Sequence, residues 1–307
     1  MAKEFDLVVV GEINPDIILQ AKDLKPEYGQ AEKLIDDASF TIGASAVIVA
    51  AGAAKLGLKV AFVGLVADDL FAKYMLQEMQ GLNIDVSRVV VKAELKSGFS
   101  IIFLEKNDRA IMTYAGSIDK LKYSDIDLSI LDKAKHLHLS SFFLLKELRP
   151  DIPKLFKLAK SKALTTSLDS NWDPSNNWTG ITETLKYTDI FLPNENEILA
   201  LSKKDNISEA VKLLSEQVAI IALKLGEKGA IVKTKNKEIS VEPIKVEVVD
   251  TTGAGDSFDA GFLHGFINGL SLEACLKQAV ICGSLSTRAA GGTTAQANLE
   301  ELKRLLA

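Results

Sequence analysis

A short block late in the chain, Asp250–Phe262, combines residue types that can perform acid–base chemistry beside an anion. It reads D-T-T-G-A-G-D-S-F-D-A-G-F and follows a strand-like stretch, Lys245–Val249. Gly253 and Gly255 allow the backbone to turn tightly and to approach a ligand closely. The helix predicted to begin here leaves its first amide groups without internal acceptors, and with the helix dipole these groups form an anion site.

A carboxylate in the first turn of this helix has a chemical use. Asp256 would repel a bound anion unless it took part in a reaction there, and the natural part is to take a proton from a hydroxyl group attacking phosphorus. The alternative is an aspartate that only caps a helix, behind glycines that only serve a turn. Two threonines, two glycines and the aspartate in one block after a strand favour the first interpretation.

Other phosphate-binding patterns fit the chain less well. The sequence has no G-x-x-x-x-G-K-[ST] motif, which excludes a P-loop protein. The dinucleotide pattern G-x-G-x-x-G fails because its last position holds Phe258. An NAD(P)-dependent oxidoreductase is therefore disfavoured.

Polar side chains at two further places can meet the same site. Asn194 and Glu197 follow the strand-like Ile190–Leu192, where ligands gather in open α/β sheets, and their oxygens suit Mg²⁺ held through water. The alternative is an ordinary acidic first turn of a helix. Asn14 and Asp16 lie two apart on an extended segment, so they share a face and can bind adjacent sugar hydroxyls, unless they only form an Asn-Pro-Asp turn.

The elements that must position these residues alternate between short apolar runs and helical patterns. Strand followed by helix, repeated, predicts a mostly parallel sheet covered by helices on both faces. The predicted strands are Leu7–Val10, Val60–Val63, His136–Leu139, Leu164–Leu168, Ile190–Leu192, Ala219–Leu223 and Gly229–Val232. The predicted helices are Ala46–Leu56, Leu70–Gln80, Asp151–Ser161, Ile207–Ser215, Ala254–Asn268 and Leu272–Ala289.

Two stretches break this alternation and predict a small second sheet that packs beside the first. Residues 12–40 have no clear long helix, and residues 89–115 contain the strand candidates Val89–Val91, Phe99–Leu104 and Ala110–Tyr114, with a turn at Lys106–Asp108. We therefore predict an inserted lid rather than two domains in tandem. The predicted core comprises residues 1–11, 41–88 and 116–307, and the predicted lid comprises residues 12–40 and 89–115.

Composition limits the class of protein and its partners. The chain has 307 residues, 47% of them hydrophobic and 25% charged, with 36 basic and 41 acidic side chains and a net charge of −5. These values are typical of a globular protein and give no electrostatic reason to bind nucleic acid or an anionic membrane. Two cysteines, Cys275 and Cys282, and the absence of a run of about 20 apolar residues predict a cytoplasmic protein.

The Asp250–Phe262 block resembles the signature of the ribokinase (PfkB) family of carbohydrate and nucleoside kinases. The remaining motifs follow in the expected order over essentially the whole chain. They are the Gly-rich helix Gly43–Gly57, the strand and loop Val60–Asp69, the N-x-x-E motif in Pro193–Glu197, the nucleotide loop Lys224–Ala230 and the C-terminal stretch Thr287–Glu301.

This resemblance implies a fold and a reaction. The fold is a ribokinase-like, three-layer αβα core of Rossmann type with a small β-sheet lid, and the lid of family members often forms a homodimer. The reaction is transfer of the γ-phosphoryl group of ATP to an alcohol group of a sugar, with Mg²⁺. By resemblance Asp256 is the base, and the amides of Gly253, Ala254, Gly255 and Asp256 form the anion hole.

The resemblance also assigns the other ligand contacts. Glu197 orders water on Mg²⁺ and Asn194 contacts phosphate. The ATP loop contains Lys224, Gly226 and Gly229, although a plain hairpin turn is the alternative, and the adenine side is lined near Cys282 and Gly283. The sugar is bound near Asn14, Asp16, Gly43 and Ala44, and Asp250 and Thr252 match the positions that hold K⁺ in some members.

Departures from the family pattern concern the sugar. The usual Gly-Gly pair is Gly43-Ala44, and the usual sugar-contacting asparagine falls at Ile48, which cannot form a hydrogen bond. The loop Asp169–Ser175 resembles a D-P-N-x-R region without its arginine, which favours a neutral substrate unless Arg109 or Lys106 supplies the charge. A nucleoside kinase and a non-catalytic binding protein on the same fold remain the alternatives.

Overall fold

Strands and helices alternate along most of the chain, as the apolar runs predict. The computed structural model describes residues 3–105 and 108–306. In chain order its strands are β1 (Phe5–Val10), β2 (Pro15–Gln20), β3 (Asp37–Ile42), β4 (Val60–Val63), β5 (Leu65–Val66), β6 (Val90–Val91), β7 (Phe99–Glu105), β8 (Asp108–Tyr114), β9 (Ala134–Leu139), β10 (Thr165–Leu168), β11 (Ile190–Phe191), β12 (Ile220–Lys224), β13 (Ala230–Lys233) and β14 (Glu238–Val241). Its α-helices are α1 (Ser45–Lys55), α2 (Leu70–Gly81), α3 (Ile152–Ser161), α4 (Thr182–Leu185), α5 (Glu195–Ser202), α6 (Ile207–Leu214), α7 (Ala254–Ile267), α8 (Leu272–Ser286) and α9 (Leu299–Leu306).

The larger sheet brings the ends of distant strands together. Its strand order is β14-β13-β12-β11-β10-β9-β1-β4. The strands from β4 to β12 run parallel, and β13 and β14 continue the sheet antiparallel at one edge. Because parallel strands end at the same edge, the loops that follow β1, β10, β11 and β12 meet there.

Each face of the larger sheet is covered by its own hydrophobic core. Along β1, Val8 and Val10 belong to a core with Phe156 of α3, whereas Leu7 and Val9 belong to a core that includes residues of α1 and α7. This alternation follows from the period of two in a strand that is buried on both faces. It confirms the predicted three-layer αβα arrangement.

A second sheet of four strands, which we call the lid sheet, has the order β3-β2-β7-β8. Asp16 on β2 lies opposite Ser100 on β7, and Ser100 lies opposite Thr113 on β8. Lys106 and Asn107 of the predicted turn lie outside the described residues. The division of the chain into a core domain and a lid domain stays a prediction.

Two predicted strands are wrong. The prediction places Val89–Val91 in the lid sheet, but Val90–Val91 pairs in parallel with Leu65–Val66 instead, because the backbone after β4 offers free acceptors such as Gly64 O. Lys245–Val249 forms no strand in the described structure. The amides of Val249 and Asp250 both donate to the carbonyl of Thr287, beyond the end of α8, rather than to a neighbouring strand.

Among the helices in residues 3–105 and 108–306, none combines the length and apolar character needed to cross a bilayer.

Candidate active site

The turn before α7 depends on glycine at one position. Gly253 has φ +72°, in the left-handed region that favours glycine, and a Cβ atom there would lie 2.7 Å from Gly292 Cα. Gly253 also accepts the first bond of the helix, from the amide of Ser257 at 2.8 Å. Any side chain at residue 253 would therefore displace the backbone of the turn or that of Gly292.

The amide groups of this turn are only partly available to a ligand. Among the described residues, the amides of Gly253, Gly255 and Asp256 have no intramolecular acceptor. The amide of Ala254, which the resemblance includes in the anion hole, instead donates to Thr251 O at 3.3 Å. The described geometry thus favours an anion held by the amides of Gly255 and Asp256, with Gly253 beside them.

Asp256 lies in the first turn of α7 with its side chain inward and only 8% of the residue exposed. Burial raises the pKa of Asp256 to about 7, and the charge of Asp169 adds to the increase. Lys224 and a hydrogen bond from Ser45 act in the opposite direction. A carboxyl group with a pKa near neutrality is suited to accept a proton from a substrate and release it afterwards.

Asp16 faces the same space from the lid sheet. Burial and the charge of Asp256 raise the pKa of Asp16 to about 7. The side-chain amide of Asn14 lies 3.4 Å from Asp16 Oδ1 and 3.4 Å from Ser100 Oγ. A Cβ atom at Gly43 would lie 2.2 Å from Asp16 Oδ1, so only glycine fits there. Three of the predicted sugar-binding residues are therefore in contact.

Ala44, the fourth predicted sugar-binding residue, has a backbone conformation that favours glycine. It is the residue before α1 and has φ +64°. This left-handed conformation costs a residue with a Cβ atom about 1–2 kcal/mol. Alanine therefore holds a backbone conformation here that glycine would adopt without this cost.

A hydrogen-bond network that the sequence did not reveal joins the loop after β1 to α1. Glu12 Oε1 accepts from Ser141 Oγ at 2.8 Å, and Asn171 Oδ1 accepts from the amide of Ser141 at 2.9 Å. Asn171 Nδ2 in turn donates to Ser45 Oγ at 2.8 Å. Because Ser45 contacts Asp256, the network fixes the surroundings of the predicted base.

Asn194 and Glu197 hold each other at the start of α5. Asn194 donates to both carboxylate oxygens of Glu197, from its side chain at 2.7 Å and from its amide at 2.9 Å, and accepts from the amide of Glu197. Burial and the charge of Asp169 raise the pKa of Glu197 to about 7. The oxygens keep lone pairs that can accept from the water shell of Mg²⁺, the form in which proteins usually hold this ion.

Lys224 differs most from its expected role as an ATP ligand. Its ammonium group is 2.7 Å from Asp169 Oδ2 and 3.1 Å from Asp259 Oδ1. Burial opposes its charge, but Asp169 and Asp259 hold the pKa of Lys224 above its usual value. The geometry gives a direct contact with ATP no support.

The glycines of the predicted ATP loop have different surroundings. Gly226 has φ +56° with nothing within 4 Å of a Cβ position, so the space beside it is open. Gly229 has φ +82°, and a Cβ atom there would lie 2.1 Å from Val241 O, so glycine is required for the close approach of the end of β14.

The predicted adenine side is packed tightly. The Cys282 sulfur would lie 2.9 Å from a Cβ atom at Gly261, so the thiol belongs to the α7–α8 contact and does not support a direct bond to ATP. A Cβ atom at Gly283 would lie 3.0 Å from Ala254 O, beside the anion-binding turn. Of Cys282 and Gly283, the backbone of Gly283 is therefore the better placed to contact ATP.

Ile48 has a packing role instead of a hydrogen bond. It is buried, and its side chain would lie 2.4 Å from a Cβ atom at Gly292 and 3.1 Å from one at Gly253. Ile48 therefore supports the turn before α7 from the side of α1.

Asp250 ties two loops together. Its Oδ1 accepts from the amide and hydroxyl of Thr252 at 2.9 and 2.8 Å, and its Oδ2 accepts from the amide of Gly291 at 2.9 Å. The residue is 4% exposed. Asp250 therefore holds the loop before α7 against the loop that contains Gly291.

The lid sheet touches the anion-binding loop. Arg109 Nη1 on β8 donates to Thr251 Oγ1 at 2.7 Å. In this conformation the lid sheet lies over the start of α7, so Asp16 and Asp256 face one space.

Several residues of the site were given no role from the sequence, although Asp169 and Asn171 lie in the loop Asp169–Ser175 that was compared with the family. Asp169 directly follows β10, at the same edge of the sheet as Asn194 and Lys224, and Asp259 lies one turn after Asp256 on the same helix face. These two signals could have identified both residues. Glu12, Ser45, Asn171, Ser100 and Thr113 carry no comparable local signal.

Comparison with known proteins gives a consistent result. The model of the pfkB family carbohydrate kinases matches residues 4–298. An uncharacterized sugar kinase of Archaeoglobus fulgidus is 35% identical over 233 residues, which are 73% of this chain and 89% of that protein. The 5-dehydro-2-deoxygluconokinase of Bacillus licheniformis is 26% identical over 321 residues, with 99% and 97% coverage. The structure of Arabidopsis thaliana ribokinase complexed with ribose and ATP superposes with a TM-score of 0.85 at 26% identity, covering 100% of this chain and 99% of that one.

Proposed function

Because the chain belongs to the pfkB family of carbohydrate kinases, we propose that it transfers the γ-phosphoryl group of ATP to a hydroxyl group of a neutral sugar. The observation that carries this proposal is a buried carboxyl, Asp256, beside amides of Gly255 and Asp256 that have no acceptor among the described residues. A base and an anion site within one helical turn are the two groups that phosphoryl transfer requires.

The chemistry follows from these positions. Asp256 takes the proton of the sugar hydroxyl as the hydroxyl oxygen bonds to the γ-phosphorus. The bond from that phosphorus to the β–γ bridging oxygen breaks, and ADP leaves with the electron pair. The amides of Gly255 and Asp256 stabilise the negative charge on the transferred group. Closure of the lid sheet excludes water, which would otherwise compete as the acceptor.

Magnesium supplies charge neutralisation on the ATP phosphates when it is bound. Asn194 and Glu197 would hold the water molecules around the ion, since their hydrogen bonds to each other fix both side chains beside the end of β12. Gly226 offers open space for the nucleotide on the same side.

The groups around Asp16 favour a neutral substrate. The side chains around Asp16 include the amide of Asn14 and the hydroxyls of Ser100 and Thr113, which lie 3.0 Å apart. Carboxyl, amide and hydroxyl groups match sugar hydroxyls, whereas a substrate anion would be repelled by Asp16 and Asp256.

Activation by K⁺ is expected, because the buried Asp250 carboxylate lies between two loops and a cation would neutralise it. The initial rate should be several-fold higher in K⁺ than in Na⁺ or tetramethylammonium at equal ionic strength. In Asp250→Asn, which keeps the shape of the side chain, the rates in the three salts should converge. Equal rates for the unmodified protein would refute a cation site at Asp250.

A homodimer through the outer face of the lid sheet is part of the proposed function. The register places Ile17 opposite Phe40 and Ile101, and Ile101 opposite Met112, so these apolar side chains share one face. Met112 is 65% and Phe40 42% exposed. An apolar face of this kind across four strands is typical of a surface that pairs with a second copy.

The dimer can be tested by one charge on this face. Met112→Glu should shift the mass in solution, measured by light scattering, from two chains to one. Leu213→Glu, which alters an apolar residue of α6 with 38% exposure away from the lid sheet, should leave the dimer intact. A wild-type protein that is monomeric at all concentrations would exclude the interface.

The function itself is tested by ADP release from Mg·ATP with a panel of acceptors. The panel holds neutral sugars, sugar acids including 5-dehydro-2-deoxygluconate, sugar phosphates and nucleosides. We expect one neutral sugar to give the highest kcat/KM, and Asp16→Asn to raise its KM without changing ATP binding. A nucleoside as the best acceptor would identify a nucleoside kinase, and ATP binding without turnover on any member would favour a binding protein.

A further inference from the structure

The ammonium group of Lys224 lies among buried carboxyl groups below the first turn of α7. It joins Asp169, which follows β10, to Asp259 on α7, at 2.7 and 3.1 Å. The side chains of Lys224, Asp169 and Asp259 are only 12%, 3% and 0% exposed. Hydrogen bonds between charged groups in such surroundings are short, strong and directional. Lys224 therefore fixes the spacing between the sheet edge and the helix that carries the base.

The same group lies close to the base and to the anion-binding turn. Asp259 follows Asp256 by three residues, so both lie on one face of α7. Carboxylate oxygens of Asp169, Asp256 and Asp259 all lie within 4.8 Å of one another. A Cβ atom at Gly255 would lie 3.5 Å from Lys224 Nζ, so the ammonium group also borders the backbone of the turn.

We propose that Lys224 is a positioning residue that holds the first turns of α7 against the sheet and keeps Asp256 ionised, and hence basic, at neutral pH. This proposal rests on the proposed role of Asp256 as the general base. It assigns Lys224 to the support of the reaction rather than to a contact with ATP, since its ammonium group already donates to side-chain oxygens of Asp169 and Asp259.

Charged groups face Asp256 from several elements. Most of them are acidic, so the negative charge of Asp256 needs a cation close by. The acidic groups are Glu12 after β1, Asp16 on β2, Asp169 after β10, Glu197 on α5, Asp250 before α7 and Asp259 on α7; the cationic groups are Lys224 on β12 and, at Thr251, Arg109 on β8.

The members of the ion pair act on Asp256 in opposite directions. The charge of Asp169 raises the pKa of Asp256 and the charge of Lys224 lowers it. A neighbouring charge shifts a carboxyl pKa by about one to three units. Loss of the Lys224 charge alone should therefore raise the pKa of Asp256. When the charges of Lys224 and Asp169 are both lost, their effects on this pKa should largely cancel.

The pH profile of kcat at saturating substrates distinguishes positioning from mere packing. In Lys224→Met the acidic limb should move up by about one to three pH units, and kcat at pH 7 should fall about tenfold for each unit. Lys224→Arg keeps the charge and should retain most of the wild-type limb. The double variant Lys224→Met with Asp169→Asn removes both charges and should return the limb towards that of the wild type.

A second measurement does not depend on activity, so failure of the proposed function would not hide the result. The free energy of unfolding is compared between Asp256 and Asp256→Asn proteins from pH 4 to 9, with Lys224 and with Arg or Met at that position. The difference in unfolding free energy between the Asp256 and Asp256→Asn proteins should level off near pH 7 when residue 224 is lysine or arginine. It should level off at a higher pH when residue 224 is methionine. If Lys224→Met does not fold, Lys224→Gln, whose amide can still donate to Asp169 and Asp259 without the charge, replaces it in both measurements. Two results would overturn the proposal. In the first, the acidic limb of kcat and the plateau of the stability difference stay at the wild-type pH in every folded variant that lacks only the Lys224 charge. In the second, they move as far in the double variant as in the single one.

Discussion

Replacing Asp256 with asparagine is expected to lower kcat about a thousandfold, within the range that a general base contributes. The amide has the shape of the carboxyl group but cannot accept the proton of the sugar hydroxyl. The anion-binding amides are unchanged, so ATP should still bind with its normal affinity. Asp127→Asn, a matched change at an exposed residue that begins a helical turn far from the site, should leave kcat unaltered. A near-normal kcat for Asp256→Asn would refute the mechanism.

The same substitution should make the protein more stable. The pKa of Asp256 is about 7 in the folded state against 3.8 for an ordinary aspartate. Between these values the folded protein binds more protons than the unfolded chain, so the wild type loses stability as pH rises through this range. Asparagine has no such loss. The stability advantage of Asp256→Asn, measured by denaturant unfolding, should grow from about pH 4 and be complete above about pH 7, while wild-type kcat falls as pH drops below 7.

Replacing Gly253 with alanine is expected to lower kcat about a hundredfold or more, the cost of losing one donor of an anion hole. The new Cβ atom would lie 2.7 Å from Gly292 Cα and the residue would have to keep φ +72°. Backbone on one side of the turn must therefore move, and the amides of Gly255 and Asp256 would move with it. Steady-state kinetics and the free energy of unfolding should both show the effect.

Gly255→Ala is the matched control for this prediction. A Cβ atom at Gly255 would make only ordinary van der Waals contact with the side chain of Lys224, at 3.5 Å or more, and needs no left-handed backbone. Its kcat should stay within a few-fold of the wild type. Equal losses for the two alanine variants would contradict the idea that strain at residue 253 controls the anion hole.

The part of the site that the sequence predicted is the part that is local in the chain. The turn, its amides and Asp256 fall within one short block, Asp250–Phe262. The order of glycines and aspartate in that block points to an anion-binding turn followed by a base. The alternating elements likewise predicted the three-layer core, because hydrophobic periodicity reports which faces of a strand are buried.

The partners of Lys224 could not be predicted in this way. Asp169 is 55 residues and Asp259 35 residues from Lys224 along the chain. Their meeting depends on which strands are neighbours and on how α7 packs, neither of which follows from local spacing. Lys224, which was assigned to the ATP loop from the sequence, pairs with these two residues in the described structure.

The two strand predictions that were wrong, Lys245–Val249 and Val89–Val91, also depended on contacts that local sequence does not reveal. Charged residues and valines alternate in Lys245–Val249, but a strand needs a partner with free hydrogen-bonding groups, and propensity does not supply one. For Val90–Val91 the predicted strand conformation is correct, but the predicted pairing with the lid sheet is wrong. Ile48 looked like a lost sugar contact, whereas it fills the space that Gly253 and Gly292 leave open.

The position of β1 in the sheet has a consequence for biosynthesis. β1 leaves the ribosome before β4 and β9, and it lies between these two strands in the sheet. After β4 has formed, the other edge of β1 has no partner until Leu139 has been made, which takes roughly ten seconds at ~5–20 residues per second. During that time the nascent chain exposes an apolar strand edge, the surface at which chains aggregate. The growing chain therefore exposes this strand edge before Asp256, the proposed base, has been synthesised.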